Sequence, residues 1–125
     1  MKQLILATAL SVAFATVAFA QEGAKGPNGG PVVETHDVFV EMTVEGENLV
    51  LHFAGEDGKA MPSDGTTKAR AIVQDAGKTT TVALETQAPN RLVGVLAGPL
   101  GPGARVVVSA TLADGHAIQA RFVNK

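Results

Sequence analysis

Seven residues of the chain stand out as candidate metal ligands. They are His36, Asp37, Glu41, Met42, His52, Met61 and His116. Imidazole and thioether ligands together suit copper, whereas imidazole and carboxylate ligands suit zinc or cobalt. The chain contains no cysteine, which excludes thiolate metal sites, thiol catalysis and thiol redox chemistry.

Glu41 and His52 are the best-placed pair among these candidates. Apolar residues alternate over residues 38–44 and again over 49–53, and a two-residue loop at 46–47 matches the two apolar faces. This register pairs Met42 with Leu51 in the core and places Glu41 opposite His52 on the other face. We therefore predict that a bound copper, zinc or cobalt ion uses His52 as a ligand, assisted by Glu41. The alternative is a surface contact worth less than about 1 kcal/mol.

Two further residues are expected to complete such a site. His36 lies five residues before Glu41, so it reaches the same face only if the first strand begins after it. Met61 precedes Pro62 in a predicted loop, and we expect its thioether to be free. The predicted metal ligands are therefore His52, Glu41, His36 and Met61. The sequence contains no HxxxH motif or methionine-rich repeat to strengthen this prediction.

Other kinds of chemistry find little support in the sequence. The serine and threonine residues lie in no nucleophile-elbow setting, and the glycine-rich segments contain prolines and lead into strands, unlike phosphate-binding loops. We predict that the protein is not an enzyme. Without its first 20 residues the chain has 9 basic and 12 acidic residues, which argues against a nucleic-acid partner.

The first 20 residues have the three-part pattern of a secretory signal. Lys2 precedes an apolar stretch, and Ala18-Phe19-Ala20 matches a small-residue cleavage site. The alternative, a membrane anchor, is less favoured because the apolar run is short for a membrane span. With no cysteine near the cleavage site, a lipid-anchored form is excluded. We expect a periplasmic protein with a signal peptide at 1–20, a flexible leader at 21–30 and one domain at 31–125.

The rest of the chain alternates with a period of two, which predicts strands rather than helices. Hairpins are predicted at 38–54, at 68–85 around Ala76-Gly77, and at 106–122 around a three-residue loop ending in a left-handed Gly115. Another strand is predicted at 91–97, whereas the prolines at 98–103 exclude a central strand there. About seven short strands at this spacing predict a small immunoglobulin-like antiparallel β-sandwich. A small closed barrel is the alternative.

Charge is distributed unevenly along the domain. Residues 34–57 contain seven acidic residues and no Lys or Arg, whereas basic residues predominate from Lys59 onward. One end of the fold should therefore be acidic. Such a segment most often keeps a protein soluble, although it also attracts cations.

Several short motifs resemble a known family. The segment GPNGG at 26–30, the acidic strand pair and the turn Asp57-Gly58-Lys59 resemble the start of periplasmic adaptor subunits of cobalt–zinc–cadmium-type heavy-metal efflux pumps. There the segment commonly reads GPHGG, so Asn28 replaces the histidine of the family. Later stretches, such as ARVVVS at 104–109 and QARF at 119–122, look like small stand-alone exported proteins often found with metal-resistance systems.

The resemblance implies an accessory role in heavy-metal efflux. The helical hairpin and lipoyl-like parts of the adaptors have no counterpart in this sequence, so we do not expect the chain to bridge an inner-membrane pump and an outer-membrane channel. We expect weak metal binding or docking to a component of an efflux complex, without membrane insertion after signal cleavage. The alternative is a metal-free structural or protein-interaction β-sandwich module.

Overall fold

The alternating sequence pattern produces nine β-strands in the part of the chain described by the computed structural model, residues 25–124. The strands are β1 (Val32–Thr35), β2 (Val38–Glu45), β3 (Asn48–Ala54), β4 (Thr67–Asp75), β5 (Lys78–Ala83), β6 (Glu85–Gln87), β7 (Arg91–Val95), β8 (Arg105–Thr111) and β9 (Ala117–Val123). The predicted signal peptide and residues 21–24 lie outside the described residues. Within residues 25–124, no helix is long and apolar enough to span a membrane.

The strands form two antiparallel sheets that face each other across one core. Sheet 1 has the order β1-β2-β3-β7-β6, and sheet 2 has the order β5-β4-β8-β9. The largest fully buried apolar side chains come from both sheets and are Phe53, Leu49, Leu51, Leu92, Val40, Val106 and Val108. The predicted all-β sandwich is therefore confirmed, and the closed barrel is not formed.

The strand registers predicted from apolar matching are also observed. In the β2–β3 hairpin, Met42 pairs with Leu51 and Glu41 pairs with His52. In the β4–β5 hairpin, Val73 pairs with Thr80. Gly115 closes the β8–β9 hairpin with a φ of 93°, and Leu112 N–H donates to the His116 carbonyl at 2.8 Å. The turns and the apolar pattern agree, so each hairpin has one face in the core.

Nine strands are observed instead of about seven because of two short elements. β1 pairs with β2 through the two-residue turn His36-Asp37. The strand predicted at 79–85 divides near Leu84, where the chain leaves sheet 2 as β5 and enters sheet 1 as β6. At this crossing Gly94 of β7 lies so close to Ala83 and Val82 that a Cβ atom would clash with them. The glycine therefore permits the close packing of the crossing chain.

Candidate functional site

The glycine-rich segment at 26–30, here called the GPNGG turn, folds onto the side chain of Glu41. Gly26 N–H donates to the Gly30 carbonyl at 2.8 Å, which closes the turn. The Glu41 carboxylate accepts bonds from Asn28 N–H at 3.0 Å, from the Asn28 side-chain amide at 3.0 Å and from Gly30 N–H at 2.8 Å. A Cβ atom on Gly26 would clash with the Glu41 carboxylate, and one on Gly30 would clash with the Met42 carbonyl. Glycine is therefore needed at both ends of the turn.

The GPNGG turn makes Glu41 inaccessible on the face where the sequence pattern placed it. The residue is on the outer face of the hairpin, as predicted, but only 3% of its surface is exposed because the GPNGG turn covers it. Its carboxylate oxygens already accept three hydrogen bonds. Residues 26–30, the second half of the leader predicted at 21–30, therefore pack on β2.

His52 lies beside Glu41 in the register but has a different partner. Its Nε2 atom is 2.9 Å from the hydroxyl oxygen of Thr43, which lies two positions after Glu41 on β2. On its other side His52 pairs with Arg91 of β7, so a cationic residue is its other cross-strand neighbour. The two residues of the predicted metal pair are therefore adjacent in the sheet, while each makes its hydrogen bonds to other groups.

His36 and Met61 do not join this pair. His36 and Asp37 form the β1–β2 turn, with φ angles of 49° and 65°, and the His36 ring stacks on His116 with centroids 6.3 Å apart. Met61 is half-buried and packs against the core, whereas the pair lies on the outer face of the hairpin. Met42 is buried, as predicted. The four predicted ligands therefore do not form one coordination site.

A different group of potential ligands comes together at the acidic end of sheet 1. Carboxylate oxygens of Glu34, Asp37 and Glu56 all lie within 4.8 Å of one another, and all three residues are exposed. The tight turn at His36-Asp37 brings Glu34 and Asp37 together, and Glu56 follows β3. The acidic run in the sequence indicated the charge of this end, but the grouping depends on a left-handed turn at two non-glycine residues.

His116 and Asp114 form an exposed pair at the β8–β9 turn. The Asp114 carboxylate accepts a bond from His116 N–H at 3.0 Å, and its other oxygen lies 2.8 Å from His116 Nδ1. The backbone N–H of His116, and then its side chain, lower the pKa of Asp114 below its ordinary value. Through the stacked His36 ring, this pair adjoins the β1–β2 turn.

These contacts define two features. One is the GPNGG turn hydrogen-bonded to Glu41, and the other is a polar end formed by the acidic group and the two stacked histidines. The GPNGG turn contains residues on which the resemblance noted from the sequence depends, and the acidic group offers only oxygen ligands.

Comparisons with protein-family models, with curated proteins and with solved structures found no match.

Proposed function

We propose that the protein is an exported, non-enzymatic accessory of a heavy-metal resistance system, and that it acts by docking on another protein of that system. The resemblance to efflux adaptor subunits supplies the biological context. We favour docking over metal carriage because the GPNGG turn is bonded to Glu41 within the fold.

The observation that carries this choice is the contact between the GPNGG turn and Glu41. The position of the family's histidine is occupied by Asn28, whose backbone and side-chain N–H groups both donate to the Glu41 carboxylate. A metal ion at Glu41 would have to displace these donors and the Gly30 N–H from a carboxylate that is almost completely buried. Such a buried, fully bonded group contributes to structure more readily than it exchanges ligands. The motif therefore supports a rigid recognition module.

The acidic group at Glu34, Asp37 and Glu56 does not by itself make a metal site. Exposed carboxylates often cluster without an ion, and an all-oxygen ligand set suits Ca²⁺, Mg²⁺ or Mn²⁺ better than copper or zinc. Neither His36 nor His116, the two stacked histidines at this end, is a member of the group. Loss of metal tolerance in a variant without these carboxylates would reveal ion binding by the acidic group.

The test compares metal tolerance of cells that lack the gene with cells that carry wild-type or variant copies. We expect loss of the gene to lower tolerance to cobalt, zinc or cadmium. Both a His36→Ala/His52→Ala variant and a Glu34→Gln/Asp37→Asn/Glu56→Gln variant should restore tolerance, because docking does not need these ligands. Export and abundance of each variant would be checked by immunoblotting of the periplasmic fraction.

Two other results would change the conclusion. If loss of the gene leaves metal tolerance unchanged, the proposal is wrong and the alternative of a module unrelated to metal resistance is preferred. If only the variants without candidate ligands fail to restore tolerance, metal binding is the function. Isothermal titration of the purified protein with Cu²⁺, Zn²⁺ and Co²⁺ would then identify the ion. Direct docking would be measured with the purified adaptor subunit of the same resistance system as the probe.

A further inference from the structure

An open groove lies between the end of β1 and the outer face of sheet 2. Its volume is about 560 Å³, and its lining includes His36, Lys68, Arg70, Ser109, Thr111 and Gln119. These residues come from four strands or their ends, so the groove exists only in the assembled sandwich. Neither Glu41 nor the acidic group contributes to its lining.

The side chains that line the groove are suited to a negatively charged ligand. Lys68 and Arg70 contribute two permanent positive charges, while Ser109 and Thr111 contribute hydroxyl groups. No Asp or Glu is among the lining residues. In residues 25–124, the one ion pair observed is between His116 and Asp114, so neither groove cation is paired with a carboxylate. A protein of net negative charge thus has a locally positive concave surface.

The backbone beside the groove has an irregular conformation. Thr67 pairs with Thr111 and Arg70 pairs with Ser109, so β4 contains one residue more than β8 over this interval. Within this bulge Lys68 has a φ of 53°, which is uncommon for a residue other than glycine. Bulges redirect side chains and are frequent beside binding sites, and strained residues concentrate there as well. Here the bulge carries one of the two groove cations.

We propose that this groove binds a tetrahedral oxyanion, the phosphate group of a phosphate ester. A guanidinium and an ammonium group provide charge-assisted hydrogen bonds to such a group, and neighbouring hydroxyls provide further donors. The volume exceeds that of the oxyanion itself and lies in the range of sites for small organic molecules, so an organic part of the ester also fits. A free phosphate ester and a phospholipid headgroup share this chemistry. The proposal does not depend on a role in metal resistance.

Affinity should be modest for an electrostatic reason. Asp37 follows His36 directly and belongs to the exposed acidic group, which lowers the positive potential at the β1 side of the groove. The cations on β4 are therefore expected to dominate binding. Binding should therefore depend on Arg70, a cation inside the groove, and not on Arg105, a cation outside it.

The test is an NMR titration of the ¹⁵N-labelled protein, purified after export, with inorganic phosphate and glycerol 1-phosphate against sodium chloride of equal ionic strength. Shifts should concentrate at 68–70, 109–111 and 117–119. Arg70→Gln should weaken binding about ten-fold, as expected for the loss of one charge-assisted hydrogen bond. The matched control is Arg105→Gln, which removes the same charge from the outer face of sheet 2 outside the groove and should change affinity less than about two-fold.

A second variant and a vesicle assay complete the design. Lys68→Gly removes the other cation at a backbone conformation that glycine adopts easily, so the fold should be retained while binding weakens. Binding to phosphatidylglycerol vesicles, but not to phosphatidylcholine vesicles, that depends on Arg70 would identify a lipid headgroup as the source. Equal losses for Arg70→Gln and Arg105→Gln would overturn the proposal in favour of diffuse surface charge. Absence of specific shifts together with absence of Arg70-dependent vesicle binding would also overturn it.

Discussion

Replacing Glu41 with alanine should destabilise the protein and release the GPNGG turn. The carboxylate accepts bonds from Asn28 N–H, from the Asn28 side chain and from Gly30 N–H. Hydrogen bonds to a charged group contribute about 1.5–3 kcal/mol each. Simple addition of three such bonds overestimates the loss, because alanine also removes the cost of burying a carboxylate, and because the exposed Asn28 can bond to water instead.

The expected net loss follows from what stays buried. Gly30 is buried against β2, so its N–H group loses its acceptor without access to water unless the turn detaches. We therefore expect Glu41→Ala to lower the free energy of unfolding by about 2–4 kcal/mol. The matched control is Glu45→Ala, an exposed residue of the same strand, for which a change below about 0.5 kcal/mol is expected.

Urea unfolding followed by circular dichroism would measure both variants. With a urea m-value of about 2 kcal/mol per molar, the middle of the usual range for small proteins, the unfolding midpoint of Glu41→Ala should fall by roughly 1–2 M. Hydrogen exchange should show faster exchange at the Asn28 and Gly30 amides in the same variant. If the midpoint matches that of Glu45→Ala and both amides keep their protection, the turn is not held by Glu41 and our explanation of the motif is wrong.

Three further predictions concern the core, the crossing chain and the β8–β9 turn. Met42→Ala should lower stability by about 2–5 kcal/mol in urea unfolding, because Met42 is buried between the sheets, and a loss near zero would contradict this position. Gly94→Ala should cost about 1–3 kcal/mol by overpacking, whereas Gly98→Ala, with open space around it, should be tolerated; equal midpoints for the two variants would exclude a clash at Gly94. In a carboxyl ¹³C titration, the pKa of Asp114 should lie below its ordinary value, and His116→Ala should raise it only in part because the backbone N–H remains. Since this pKa is lowered in the folded state, the stabilisation is present above the unfolded-state pKa and is lost as the pH falls through the folded-state pKa.

The fold was largely predictable because its main information is local. Two strands joined by a two- or three-residue turn have only one register that matches their apolar faces, so the pairing of Met42 with Leu51 follows from the sequence pattern. The division of the strand near Leu84 did not follow. It depends on which sheet each half joins, and that choice is made by packing against β7.

The candidate site was less predictable because its contacts are between distant segments or depend on unusual backbone angles. Period-two patterning assigns Glu41 to the outer face but says nothing about a turn that covers this face from 13 residues away. The left-handed angles at His36 and Asp37 bring the acidic group together, although neither residue is a glycine. A signal for the first contact was nevertheless present, because GPNGG contains the donors that a buried carboxylate requires.

The pairing of β3 with the distant strand β7 has consequences for the order of folding. β3 pairs with β7, so sheet 1 is completed only after a loop of about 36 residues has closed, and this loop contains the whole β4–β5 hairpin. Hairpins with short turns form in about 1–10 μs, whereas pairing between distant strands is slower because loop closure must come first. We therefore expect the β2–β3 hairpin to form early and to wait for β7 with one edge unpaired. During this interval the unpaired β3 edge is open to pairing with a strand of another molecule.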